Sequence, residues 1–143
     1  MKISGCLLAL AVLAAPAIAT DQPTLTESRT FKYSDLPVKK FDNGGEQRRI
    51  LAGTLATGEF VESHLTVLPA GQMPHPPHAH ANSEMVFIQT GNVEYIDAAG
   101  KHTPLGPGDI IFTASNKLHG LINVGKTPAT YIVVSISKQD TPH

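Results

Sequence analysis

The sequence predicts an all-β protein, an antiparallel sandwich or barrel, and three observations carry that prediction. Short β-branched runs recur at close intervals, each bounded by turn residues. No stretch of ten or more residues beyond residue 19 shows the 3.6-residue apolar period of a helix. Gly 12 and Pro 11 in 143 residues, with only 16% charged residues, suit many turns and few long helices. The length fits one domain.

The elements follow in chain order. Met1 and Lys2 give a short positive start, CLLALAVLAA (6–15) is apolar, and Ala17-Ile18-Ala19 is a small-x-small cleavage signal. Residues 1–19 therefore read as a secretory signal peptide, and the chain is expected to be exported, periplasmic or secreted, after cleavage near Ala19. The apolar run breaks at Pro16, short of the roughly 20 residues a spanning helix needs, so no membrane anchor is expected after cleavage. Cleavage would also remove Cys6, the chain's one cysteine, leaving neither disulfide nor thiolate. Residues 20–47 are polar, with Pro23, Pro37 and Gly44-Gly45, and read as an irregular N-terminal arm. The remainder, 48–143, reads as the β-domain. Its predicted strands are RRILAG (48–53), EFVESHLTVL (59–68), EMVFIQT (84–90), NVEYID (92–97), DIIFTA (109–114), LHGLINV (118–124) and TYIVVSIS (130–137). Turn signals separate them, among them Pro69-Ala70-Gly71, Thr90-Gly91-Asn92, Gly106-Pro107-Gly108 and Gly125-Lys126-Thr127-Pro128.

Net charge is −1 with histidine neutral, and the charges are scattered. No broad basic face is available to grip nucleic acid. The unusual feature is histidine: seven in all, four of them between residues 64 and 80. His78 and His80 stand two apart, which on an extended segment turns both imidazoles to one face. Glu84 opens the otherwise apolar run EMVFIQT, and even spacing keeps it on that face with Val86 and Ile88 unless Asn82-Ser83 kinks the chain. His119 opens a later strand after the Gly-Pro-Gly-Asp turn. A carboxylate on a core-facing position is costly unless paired, and a cation shared with the imidazoles meets that need. The alternative, loop histidines among prolines with no ligand, leaves Glu84 unexplained.

This arrangement resembles the cupin superfamily of small conserved barrels. Its first motif is similar to Gly71, six residues, His78-Ala79-His80, three residues, Glu84, six residues, Gly91, with one extra residue after Gly71. Its second is similar to Gly108, five residues, Ala114-Ser115-Asn116, two residues, His119, three residues, Asn123. Ala114 stands where the family has proline and Asn116 where it has glycine; Asn tolerates positive φ, so the turn is expected to survive. The resemblance covers roughly residues 60 to 137. It implies a small antiparallel β-barrel of jelly-roll type, the double-stranded β-helix. It also implies one divalent transition-metal ion (Fe, Mn, Ni, Cu or Zn) held by His78, His80, Glu84 and His119.

Three imidazoles and one carboxylate suit such ions, and four protein ligands leave positions open for water or substrate. The lead expectation is a small-molecule metalloenzyme of dioxygenase type, with lyase or isomerase chemistry inside the same group; the alternative is a non-catalytic module that binds metal or a small ligand. His75, three before His78 in a proline-rich loop, is the candidate general base. His64 is expected outward or behind the site, on the face opposite Val61, Leu65 and Val67. His102 and His143 read as solvated. Val86, Ile88, Tyr95, Phe112 and Leu121 are the candidate cavity lining, though most of them are expected simply to fill the barrel core, and Asn123 is expected to hold a turn. Edge strands and the arm point to a homodimer.

Overall fold

The structure, a computed structural model, describes residues 23–138. The segment 1–19 and His143 lie outside the described residues. Ten strands run in order: β1 (Thr24–Leu25), β2 (Val38–Lys40), β3 (Glu46–Leu55), β4 (Glu59–Leu68), β5 (Ser83–Thr90), β6 (Val93–Ile96), β7 (His102–Leu105), β8 (Ile110–Thr113), β9 (Gly120–Asn123) and β10 (Ala129–Lys138). One 3-10 turn, Tyr33–Asp35, precedes β2. No helix among the described residues is long and apolar enough to cross a membrane.

The all-β prediction holds, and every predicted run contains a strand. Two elements differ. The arm is not wholly irregular: β1 pairs parallel with the end of β3, and β2 pairs antiparallel with its start, Val38 opposite Arg48. Strand β7, HTPL, carries too little apolar pattern to be predicted, and Pro104 within it argues against a strand. It forms as an edge strand paired with β6 alone, a place where proline is tolerated.

The strands make two sheets. The larger has the order β1-β3-β4-β10-β5-β8, with β2 on β3; the smaller is β7-β6-β9. The backbone of the larger sheet is the β4–β10 pair, in unbroken antiparallel register from Ala129 opposite Leu68 to Lys138 opposite Glu59. The two sheets face each other across one apolar cluster. Leu68, Val86, Ile88, Tyr131 and Val133 come from the larger sheet, and Val93 and Leu121 from the smaller. Burying each such side chain is worth about 1.5–3 kcal/mol, and this supplies the drive that closes the jelly-roll.

Two turn residues set how the sheets connect. Gly91, between β5 and β6, has φ +82, and a Cβ there would lie 2.7 Å from Ala129 Cα, so both the conformation and the close approach require glycine. Asn116 has φ 57, the one non-glycine residue in that region among those described. It takes the role expected of it in the turn before His119.

Register corrects one expectation about which side chains face inward. Across β5–β8, Glu84 pairs with Thr113, Met85 with Phe112 and Val86 with Ile111. Directly paired residues share a face, so Thr113 and Ile111 lie with Glu84, and both are buried. Phe112 points the other way and is 63% exposed, so it is not a cavity residue.

Candidate metal centre

The stretch from Gly71 to His80 is not a strand, yet it is held beside residues 116–123 like one. Gly71 N donates to Asn123 O at 2.9 Å, and Asn116 N donates to His80 O at 2.8 Å. Between them, His78 and His119 form an isolated antiparallel bridge. This backbone pairing brings the two histidine motifs together. After His80 the chain bends at Ala81-Asn82 and enters β5, so the kink foreseen at Asn82 is present.

His78, His80 and His119 each offer a ring nitrogen within 4.8 Å of the others. Two ligands on one ion, each at about 2.1 Å, stand at most about 4.2 Å apart, so the three are near ligating distance before any ion draws them in. Their ring centroids lie 4.7 to 5.1 Å apart. Glu84 faces the same group: its carboxylate oxygens stand 3.5 Å from His80 Nε2 and 3.9 Å from His119 Nε2.

Ring orientation suits a metal. His80 Nδ1 lies 3.1 Å from Asn82 O, and His119 Nδ1 lies 2.9 Å from Lys117 O. A carbonyl only accepts, so each Nδ1 carries a proton, and Nε2 is the nitrogen each ring turns toward Glu84. His78 Nδ1 is buried without a hydrogen-bond partner. Burial, then the neighbouring His75, His119 and His80 rings, push the His78 pKa down to about 4. His78 is therefore neutral at physiological pH, the form that ligates. Three imidazole nitrogens and one carboxylate oxygen fit a divalent transition ion.

The group opens on a cavity of about 310 Å³. Glu84 and His119 stand on its wall, with Val86 and Leu121. Ile88 is core instead, and Tyr95 packs against that core, its hydroxyl 3.2 Å from Thr113 Oγ1. His75 is exposed on the same wall, its ring 4.0 Å from that of His78.

His64 departs from expectation. It lines the cavity, and burial pushes its pKa down. Ser63 and Leu65, of opposite parity, are buried too. A strand covered on both faces gives no alternation from which to read the inner side. His102 is not simply solvated either, since its Nδ1 lies 2.8 Å from Glu94 Oε2 across β6–β7. Asn123 is a turn-holder as expected: wholly buried, it donates to Leu68 O and Thr127 O and accepts from Gly125 N, each at 2.9 Å.

Sequence reasoning missed the cavity residues of the arm: Lys39, Phe41 and Asn43. Asn43 Nδ2 donates to Met73 O at 3.3 Å and ties the arm to the histidine loop. Val38-Lys39-Lys40 after Pro37 was the available strand signal. Tyr131 and Thr66, also on the wall, could have been found from alternation in β10 and β4.

The fold agrees with comparisons to known proteins. The cupin domain family model matches residues 64–135. Solved structures share the fold. An RmlC-like cupin from Shewanella frigidimarina NCIMB 400 is 17% identical with a TM-score of 0.63, covering 81% of this chain and 97% of that one. A predicted oxalate decarboxylase from Thermotoga maritima is 24% identical with a TM-score of 0.63, covering 76% and 98%. KdgF from Halomonas sp. is 16% identical with a TM-score of 0.65, covering 80% and 98%. No curated protein matches the sequence. With the family model spanning half its length and both histidine motifs inside the match, the chain belongs to the cupin domain family.

Proposed function

We propose that this cupin is a metalloenzyme acting on a small molecule, with dioxygenase-type chemistry as the lead reaction. One observation carries the reading: three imidazoles and a carboxylate converge, and two of the four, His119 and Glu84, stand on the wall of a cavity of about 310 Å³. His78, His80 and His119 would hold the ion, with Glu84 as fourth ligand. Bound there, a divalent transition ion supplies Lewis-acid polarisation and, if redox-active, O₂ chemistry. The chain's own residues do the rest. The Asn82 and Lys117 carbonyls orient the His80 and His119 rings. The apolar walls at Val86, Leu121 and Val133 exclude water from a bound ligand. His75, exposed at the mouth, accepts or returns a proton at its imidazole as general base.

Lyase or isomerase chemistry is the second reading within the same site. It is favoured by similar structures described as a predicted oxalate decarboxylase and as a sugar phosphate isomerase. A non-catalytic binding module is the third. The test loads the purified protein in turn with Fe(II), Mn(II), Ni(II), Cu(II) and Zn(II). O₂ uptake and product formation are then followed over a panel of diketones, phenolics and hydroxy acids. O₂ uptake coupled to product supports the lead, and turnover without O₂ moves the reading to the lyase or isomerase class. Ligand-dependent thermal stabilisation with no turnover would leave the binding module.

Residues 1–19 support an exported protein, tested by N-terminal sequencing of the chain recovered from the periplasm or medium. A homodimer is supported by β8, an edge strand that exposes Ile110 and Phe112. Gel filtration at low concentration tests it, and a monomer there removes it.

A further inference from the structure

Followed across the sheet, the cavity wall begins at Glu84 on β5, beside His119, and ends on the N-terminal arm, which precedes the family match at residue 64. There Lys39 on β2 reaches the wall beside Phe41. Between β2 and the strand of Glu84 lie β3, β4 and β10 in order, so Lys39 and Glu84 enter from far-apart strands of one curled sheet.

The charges at the two ends are not equally satisfied. Of the wall carboxylates, Glu46 is faced by Lys40 Nζ at 3.9 Å and Arg48 Nη2 at 3.6 Å. Glu84 faces His80 and His119. Lys39 has no carboxylate at ion-pair distance among the described residues. Its ammonium instead rests 5.1 Å from the centre of the Phe41 ring, a contact that holds the charge at the mouth. Between the ends the wall is largely apolar, with Leu68, Val86, Leu121 and Val133, and His64 and Thr66 add hydrogen-bonding groups. With a dication at the histidine group, the charge facing the cavity is positive at both ends, and an anionic ligand is favoured.

We propose that the cavity takes a small carboxylic acid whose carboxylate meets Lys39 and whose other end carries chelating oxygens for the histidine group. The second half of that statement rests on the metal reading; the Lys39 half stands on the arm alone. The volume lies at the small end of ligand pockets, which suits a single ring or short chain between the two ends. Lysine acts as a point charge, so it selects for charge and leaves the shape of the acid to the apolar walls.

The test compares 3-(3,4-dihydroxyphenyl)propionate with its uncharged amide by calorimetric titration of the Zn(II)-loaded protein. The acid is expected to bind about fivefold tighter than the amide, the range of a partly exposed ion pair. Lys39→Met should abolish that ratio, Lys39→Arg should keep it and Lys39→Glu should invert it. Zn content should be the same in all three, because Lys39 is exposed and is not one of the proposed ligands. A parallel arm titrates metal-free protein with 3-phenylpropionate and 3-phenylpropionamide, where the ratio should persist at weaker affinity. Equal binding of acid and amide to the wild type, a ratio that survives Lys39→Met, or binding of neither acid in either arm overturns the proposal. Failure to take up Zn sinks the metal reading instead, and the metal-free arm still judges Lys39.

Discussion

His78 and His119 exchange two backbone hydrogen bonds, His78 N to His119 O at 2.9 Å and His119 N to His78 O at 2.8 Å. Residues 41 positions apart in sequence are thereby locked face to face, and their rings lie 4.7 Å apart. The histidine group is thus brought together by main chain, which shapes the first prediction.

Glu84→Ala and His119→Ala should each lower bound metal severalfold. The His78–His119 backbone bridge needs neither side chain, so both variants should still fold. Elemental analysis of the two purified proteins checks this, and full occupancy in both would take these residues out of the site.

Metal removal should lower thermal stability. An ion held at 100 times its dissociation constant stabilises the fold by about 2.7 kcal/mol, so stripping with a chelator should lower Tm by several degrees, and re-addition should restore it. Scanning calorimetry with and without chelator provides the measurement.

His75→Ala should keep its metal and lose turnover. Its exposed ring packs 4.0 Å from that of His78, but its Nδ1 lies 3.1 Å from Pro76 O and it is not one of the proposed ligands. A positioned general base contributes about 10²–10⁴-fold, and a loss of at least 10²-fold in kcat is expected. Unchanged kcat would assign His75 to the solvated loop.

The pH dependence of stability should carry a His64 component. Burial lowers its folded pKa below 6.5, and of its charged neighbours Glu62 opposes this while Arg49 adds to it. Below about 6.5 the unfolded chain takes up a proton that the folded chain resists, so stability falls as pH drops through that window. Denaturant unfolding of wild type and His64→Gln between pH 7.5 and 5 should show a shallower fall in the variant. Parallel curves would count against a buried, neutral His64.

Asn123→Ala should destabilise by about 3 kcal/mol, because it strands the Leu68 and Thr127 carbonyls and the Gly125 N–H in a fully buried position. Metal content of the folded fraction should be unchanged, as Asn123 is no ligand. A loss below about 1 kcal/mol in urea unfolding would mean that water replaces it.

The sequence by itself determined the fold class, the strand runs and the identity of the histidine cluster. These are local properties: β-branched runs, turn residues, an HxH pair and the tolerance of Asn116 for positive φ are all written within a few residues of one another. What only the tertiary structure decided was which faces look inward and which distant segments meet. Alternation names two faces without saying which is covered, so by itself it puts Phe112 inward and His64 outward or behind the site; cross-strand register with Met85 and burial on both sides of β4 settle that. The arm looked irregular because Val38–Lys40 has no apolar face of its own, and it becomes a strand, and Lys39 a cavity residue, only when β3 offers it hydrogen bonds. Pairing of that kind is a contest among non-local partners, and its outcome depends on the whole closed sheet.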